Sequence, residues 1–141
     1  TILCFIVGMV FFYILNTLSL KKHLIEDEDF YSLSNHVLEL RRYEKNLLFK
    51  VGSDNYAQFS YFLDLLHSEL DRVEKSVSRA ASLQELEQFK QNLVLYHEFI
   101  RAGEQKNRFD EEEIRRLGKI LVDFTEGLVK KKKKQICYKN Y

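Results

Sequence analysis

The 141 residues contain no proline and no tryptophan, only five glycines and only two cysteines. Without proline no helix is broken from within, and so few glycines leave few places for left-handed turns. The cysteines exclude a disulfide framework. Cys4 lies in an apolar opening segment and Cys137 beyond a run of lysines, so the stretch between them carries no thiol. That fits an extracytoplasmic domain held together by packing. An excess of one charge is also missing: 22 basic residues oppose 21 acidic ones, for a net charge of +1. There is therefore no global drive toward nucleic acid, and no nucleic-acid partner is expected.

The motifs that give helical bundles their chemistry are missing as well. Di-iron bundles use paired Glu-x-x-His motifs, and Asp64-x-x-His67 is a lone approximation. No Cys-x-x-Cys-His occurs for haem, and no glycine-rich phosphate loop or nucleophile triad is present. His36 stands in a helix that loosely resembles a phospho-accepting segment, but neither the acid directly after the histidine nor the following proline is there. His23, His36, His67 and His97 are expected at the surface or the bundle edge. The reading is non-enzymatic, with no cofactor and no metal.

What the chain does have begins at once. From Ile2 to Leu20 it is apolar, broken only by Asn16, Thr17 and Ser19, and it then meets Lys21 and Lys22. About 20 apolar residues span the hydrocarbon core of a bilayer. A signal peptide has a shorter apolar region and a small-residue cleavage site, and no Ala-x-Ala pattern follows here. A core helix would alternate with polar residues. The segment therefore reads as a membrane anchor.

After Lys22 the apolar residues fall into four stripes spaced alternately three and four apart. They run Phe30, Leu33, Val37, Leu40, Glu44, Leu47, Val51; then Tyr56, Phe59, Leu63, Leu66, Leu70, Val73, Val77; then Leu86, Phe89, Leu93, Tyr96, Ile100; then Ile114, Leu117, Leu121, Phe124, Leu128. Such spacing gives each helix one seam and leads to left-handed bundle packing. Gly52-Ser53-Asp54 is expected to end the first helix and cap the second, Ser82-Leu-Gln-Glu85 to open the third with a capping box, Gly103 to end it, and Asp110-Glu-Glu-Glu113 to open the fourth. Short connections make neighbours antiparallel. The predicted fold is all-α, an antiparallel up-down-up-down four-helix bundle whose first helix is continuous with an N-terminal transmembrane helix. The even helix count then places Lys130–Lys134 beside Lys21 and Lys22, at headgroup height.

One polar residue interrupts the seams. Glu44 stands between Leu40 and Leu47, where an unpaired carboxylate is costly. Arg41, three residues earlier, is its natural partner along the helix, and that pair would fix the bundle's register. Alternatively Arg41, Arg42 and Lys45 line an inter-helix cavity and hold a small anionic or carboxylate ligand, since arginine matches carboxylates bidentately. Tyr43 and Tyr96, from a dense set of aromatics, would add inward hydroxyls to such a pocket.

The run Leu-Arg-Arg-Tyr-Glu-Lys-Asn-Leu-Leu (Leu40–Leu48), preceded by a membrane span and followed by Gly-Ser-Asp-Asn-Tyr (Gly52–Tyr56), resembles the periplasmic helical sensor regions of bacterial chemoreceptors and sensor histidine kinases. The nearest likeness is to the four-helix-bundle and helical bimodular class. The segment Ile114-Arg-Arg-Leu-Gly-Lys-Ile-Leu-Val-Asp-Phe124 is similar to the helix that leads such domains back to a second span. The resemblance implies a division into 1–20 transmembrane helix, 21–135 extracytoplasmic four-helix sensor bundle and 136–141 tail. It also implies an inner-membrane location, a homodimer, a small ligand met by arginines at Arg41 and Arg42, and signalling by helix rearrangement. A histidine kinase is favoured over a chemoreceptor as the parent. The competing expectation is a membrane-tethered helical interaction or scaffold protein without a small-molecule ligand.

Overall fold

The computed structural model describes residues 1–139, with side chains for all of these except 22–27, 136 and 139. The expectations for the side chains of Lys22 and His23, and for positions 140 and 141 of the tail, lie outside the described residues. Among the described residues there are four helices and no strand: α1 (Ile2–Leu48), α2 (Asn55–Ala80), α3 (Leu83–Lys106) and α4 (Glu111–Lys139).

Helix α1 runs unbroken for 47 residues, which at 1.5 Å per residue is about 70 Å. Its two parts meet different surroundings. Ile2–Lys21, 20 residues with a mean hydropathy of 2.2, is long and apolar enough to cross a membrane, and none of it is covered by the rest of the chain. From Phe30 onward the same helix turns one stripe inward, with Leu33, Val37 and Leu40 all fully enclosed. The other three stripes meet it. Phe59, Leu66, Leu93, Tyr96, Ile100, Ile114 and Leu121 are each 0% exposed, and all belong to one continuous core. Each such side chain contributes roughly 1.5–3 kcal/mol by leaving water. Val51 departs from its expected seam place: α1 ends at Leu48, and Val51, three residues past the end, is exposed. Tyr56 and Phe124 are only partly buried.

The helix ends follow local chemistry at some places and tertiary packing at others. The Ser82–Glu85 capping box forms, with Glu85 N–H donating to the Ser82 hydroxyl at 3.1 Å and Ser82 N–H donating to the Glu85 carboxylate at 2.9 Å. Glu113 N–H reaches Asp110 Oδ1 at 3.3 Å, and Glu111, Glu112 and Glu113 supply acid at the positive end of α4. The expected cap on α2 does not form. Asp54 holds the N-cap place with φ 65° and makes no side-chain cap bond, because a side-chain cap needs extended backbone at that position. Instead the Asn55 amide donates back to the Val51 and Gly52 carbonyls.

Gly103 does not end α3 either. The helix continues to Lys106 and is closed by Asn107, left-handed at φ 50°. Gly103 is buried beneath the Phe109 ring, and a Cβ there would stand 2.8 Å from Phe109 Cε1. Helix α4 extends through Lys139, so positions 136–139, expected as a tail, belong to it.

Contacts between helices run in opposite order along the chain. Asp29–Arg72 (2.8 Å), His36–Glu69 and the stacked Tyr43–Phe62 rings (5.5 Å) join α1 to α2. Phe59–Tyr96 (5.5 Å) and Glu74–Lys90 (2.9 Å) join α2 to α3. Glu85–Lys131 (3.7 Å) and Phe89–Phe124 (4.5 Å) join α3 to α4. Lys133 lies 5.9 Å from the Tyr31 ring centroid, joining α4 to α1. This last contact shifts the expected register: the lysine run stands level with Tyr31, ten residues and about 15 Å along α1 from Lys21.

Candidate functional site

The seam of α1 carries Glu44 into the middle of the core, where it is 0% exposed. Two donors converge on one of its oxygens. The Tyr96 hydroxyl of α3 donates to Oε2 at 2.5 Å, and Arg41, one turn earlier on α1, donates to the same oxygen through Nη1. The other oxygen, Oε1, is buried and has no hydrogen-bond partner. Helix α2 closes the site behind Tyr96 with the Phe59 ring. Helix α4 closes it with Gly118, over which Arg41 lies so closely that a Cβ would stand 2.7 Å from Cζ and 2.8 Å from Cδ. The carboxyl group is thus bound directly from α1 and α3, while α4 backs Arg41 and α2 backs Tyr96.

The electrostatics follow from that enclosure. Burial pushes the Glu44 carboxyl above its ordinary pKa, outweighing the Tyr96 hydrogen bond and the positive charges of Arg41 and Arg115. Burial first, and the adjoining Glu44 second, hold the Tyr96 hydroxyl well above the ordinary tyrosine range. Among the described residues, Arg41 is paired with this same carboxyl group.

Of the residues singled out for an anionic ligand, Arg41 and Tyr96 are brought together, on Glu44. Arg42 is directed elsewhere: it pairs with Glu39 at 2.8 Å, and its guanidinium lies 4.9 Å from the centroid of the Tyr43 ring. Tyr43 accepts a hydrogen bond from Arg42 at 3.0 Å and stacks on Phe62 at 22° between planes. Lys45 is exposed. The five therefore divide between the interior and two outer positions.

Two further features of the interior fall outside the seam spacing. Glu69, 8% exposed, binds His36 Nδ1 and lies 3.5 Å from Arg72. Gly118 is the other, and a signal for it exists: a glycine inside a helix costs roughly 0.5–1 kcal/mol relative to alanine, so its place demands a reason. Of the histidines, His67 is exposed and His36 and His97 are half-buried. Burial, then the Arg101 charge, lower the His97 pKa. A cavity of about 370 Å³ lies between the α1–α2 and α3–α4 turns, bordered by Lys50, Asp54, Asn55, Glu104 and Asn107, and none of the five candidate residues lines it. Among the described residues no group of three or more His, Cys, Asp and Glu is placed to hold a metal ion. No family model matches the chain, and neither a curated protein nor a solved structure matches it.

Proposed function

We propose that this chain is the anchor and extracytoplasmic sensing domain of a bacterial transmembrane receptor, of histidine-kinase type before chemoreceptor type, seated in the inner membrane as a homodimer. The four helices form an up-down-up-down antiparallel bundle in this reading. The opposite order of the cross-helix contacts supports that arrangement, as does the shared cavity at the two turns. One observation carries the functional reading: a single helix runs from an uncovered apolar segment of membrane-spanning length to a buried carboxyl whose partners are packed by the other three helices. A stimulus that alters packing at Glu44 thereby acts on the helix that enters the membrane. A small carboxylate or other anion would act by competing with Glu44 for Arg41, with Arg42, Tyr43 and Lys45 assisting at the surface.

The second reading, a tethered interaction protein without small ligand, draws on Leu38, Val94 and Leu95, apolar residues left exposed outside the anchor. A thermal-shift screen of carboxylates, amino acids and other anions separates the two, using the full chain in detergent or nanodiscs. A hit at about 100 times its dissociation constant stabilises the wild type by roughly 2.7 kcal/mol, and Arg41→Met/Arg42→Met loses the shift. A shift that survives in the double variant removes these arginines as the site, and a screen without hits favours the tether. Side is tested separately: Lys45→Cys, with Cys4 and Cys137 replaced by serine, reacts in intact spheroplasts with a membrane-impermeant maleimide. Protection until lysis would place the domain on the cytoplasmic side.

A further inference from the structure

The Glu44 carboxyl is matched on one side only. Both donors, Arg41 and Tyr96, bind Oε2, while Oε1 is enclosed without any partner. In the ionised state half of the negative charge sits on an oxygen that neither protein nor bulk solvent reaches, an arrangement that favours the neutral acid. The groups facing the carboxyl are Arg41 on its own helix, Tyr96 from α3, and Arg115 and Gly118 from α4, with the Phe59 ring of α2 behind Tyr96.

We infer that the Arg41–Glu44–Tyr96 junction is a proton-binding site, and that acidification is a stimulus to which this domain responds. The second half rests on the receptor reading; the first does not. A proton from solvent adds to Oε1, converting the carboxylate to the acid with no other bond made or broken. Oε2 remains as the acceptor for Tyr96. Arg41 loses its counter-charge. Its side chain is 20% exposed, so the guanidinium has a route from its place over Gly118 to water, and the α1–α4 contact at that level is released. The raised Glu44 pKa acts in the same direction.

The sign of the effect on stability is opposite to ordinary acid denaturation. A carboxyl whose folded pKa lies above its unfolded one contributes stability that is complete below the unfolded value and is lost as pH rises through the folded value. Acidification from neutral pH toward the ordinary glutamate range therefore raises the melting temperature through Glu44. The exposed Glu85 and Glu113, whose pKa values are lowered, act in the opposite sense and at lower pH. His97, lowered by burial and by Arg101, opposes it nearer neutrality. The difference between wild type and Glu44→Gln cancels these other groups.

The experiment uses the full chain in detergent micelles. Carbon-13 NMR of the Glu44 carboxyl reads the titration, and spin labels at Leu38→Cys and Lys119→Cys, with Cys4 and Cys137 replaced by serine, read the α1–α4 distance. The expected result is a Glu44 midpoint above the ordinary glutamate range. The label distance changes on acidification in the wild type and stays fixed in Glu44→Gln. A midpoint within or below the ordinary range overturns the proton site, and so does an equal distance change in Glu44→Gln. Should that variant not fold, the wild-type carboxyl titration decides alone. A ligand hit in the anion screen together with a Glu44 that titrates normally removes the proton and leaves the receptor; a domain labelled only after lysis removes the receptor whatever Glu44 does.

Discussion

Two buried carboxylates, Glu44 within a stripe and Glu69 beside one, are accommodated differently. Glu69 lies at the α1–α2 border, where His36 and Arg72 meet it and Arg72 also holds Asp29 at 2.8 Å. Its basic partners reach solvent, since the Arg72 side chain is 58% exposed. Glu44 lies where four helices meet, keeps one oxygen unpartnered, and relies on an arginine that is mostly enclosed. A charge cluster between two helices can borrow water through its partners and behaves as a surface pair. One enclosed by four helices must be neutralised within, and loss of its partner strands it.

The widest separation of the two comes from removing each arginine. Arg41→Met is expected to cost about 3–5 kcal/mol at neutral pH, because it leaves Glu44 buried without its counter-charge, and the cost should shrink on acidification. Arg72→Met should cost less than about 1 kcal/mol. Denaturant melts of both variants check this, and equal losses would abolish the distinction. Adding Glu44→Leu to Arg41→Met should restore most of the stability, as replaced buried ion pairs often do. Glu44→Leu alone should be milder than Arg41→Met, since the arginine it frees can reach water.

The apolar surroundings set the next scale. Leu93→Ala, one turn from Tyr96 and fully buried, should destabilise by about 2–5 kcal/mol through lost burial and a residual cavity, and Leu66→Ala likewise. Lys75→Ala, exposed on α2, should change stability by less than about 0.5 kcal/mol. Similar thermal shifts for Leu93 and Lys75 would mean that the stripes do not form the core.

The smallest effects should carry opposite signs. A methyl at Gly118 meets the Arg41 side chain and must dislodge it from Glu44, so Gly118→Ala should cost about 1–3 kcal/mol. Nothing lies within 4 Å of a Cβ at Gly127 in the same helix, so Gly127→Ala should stabilise by about 0.4–1 kcal/mol. Paired melting curves read the two signs directly, and a stabilising Gly118→Ala would detach α4 from the Glu44 site.

The helices are legible because each carries its own periodicity, and the stripes from Phe30 to Leu128 form one core with Tyr56 and Phe124 at its edge and Val51 outside it. The Arg41–Glu44 pair was legible for the same reason, being local to one turn. Tyr96 as the second donor was less so. It stands 52 positions from Glu44, and their meeting depends on the register of α3 against α1, which no local spacing encodes. Gly103 and Asn107 show the same limit from the other direction. Turn chemistry nominates the glycine as the helix stop, yet packing uses it as clearance for Phe109 and leaves the stop to asparagine. Adjacency in the sequence groups Arg42 with Arg41, yet neighbours on a helix point about 100° apart, and here they face different surroundings.

The uninterrupted α1 also makes the molecule a lever. Leu20 lies 10 positions from Phe30, where α1 enters the core, an arm of about 15 Å. With that end of the bundle as fulcrum, a tilt of roughly 10° swings the root of the apolar segment sideways by about 2.6 Å. Side-chain displacements at the fulcrum too small to unpack the core would thus reach the apolar segment magnified, and a flexible joint inserted between Leu20 and Phe30 would uncouple the two ends without touching either.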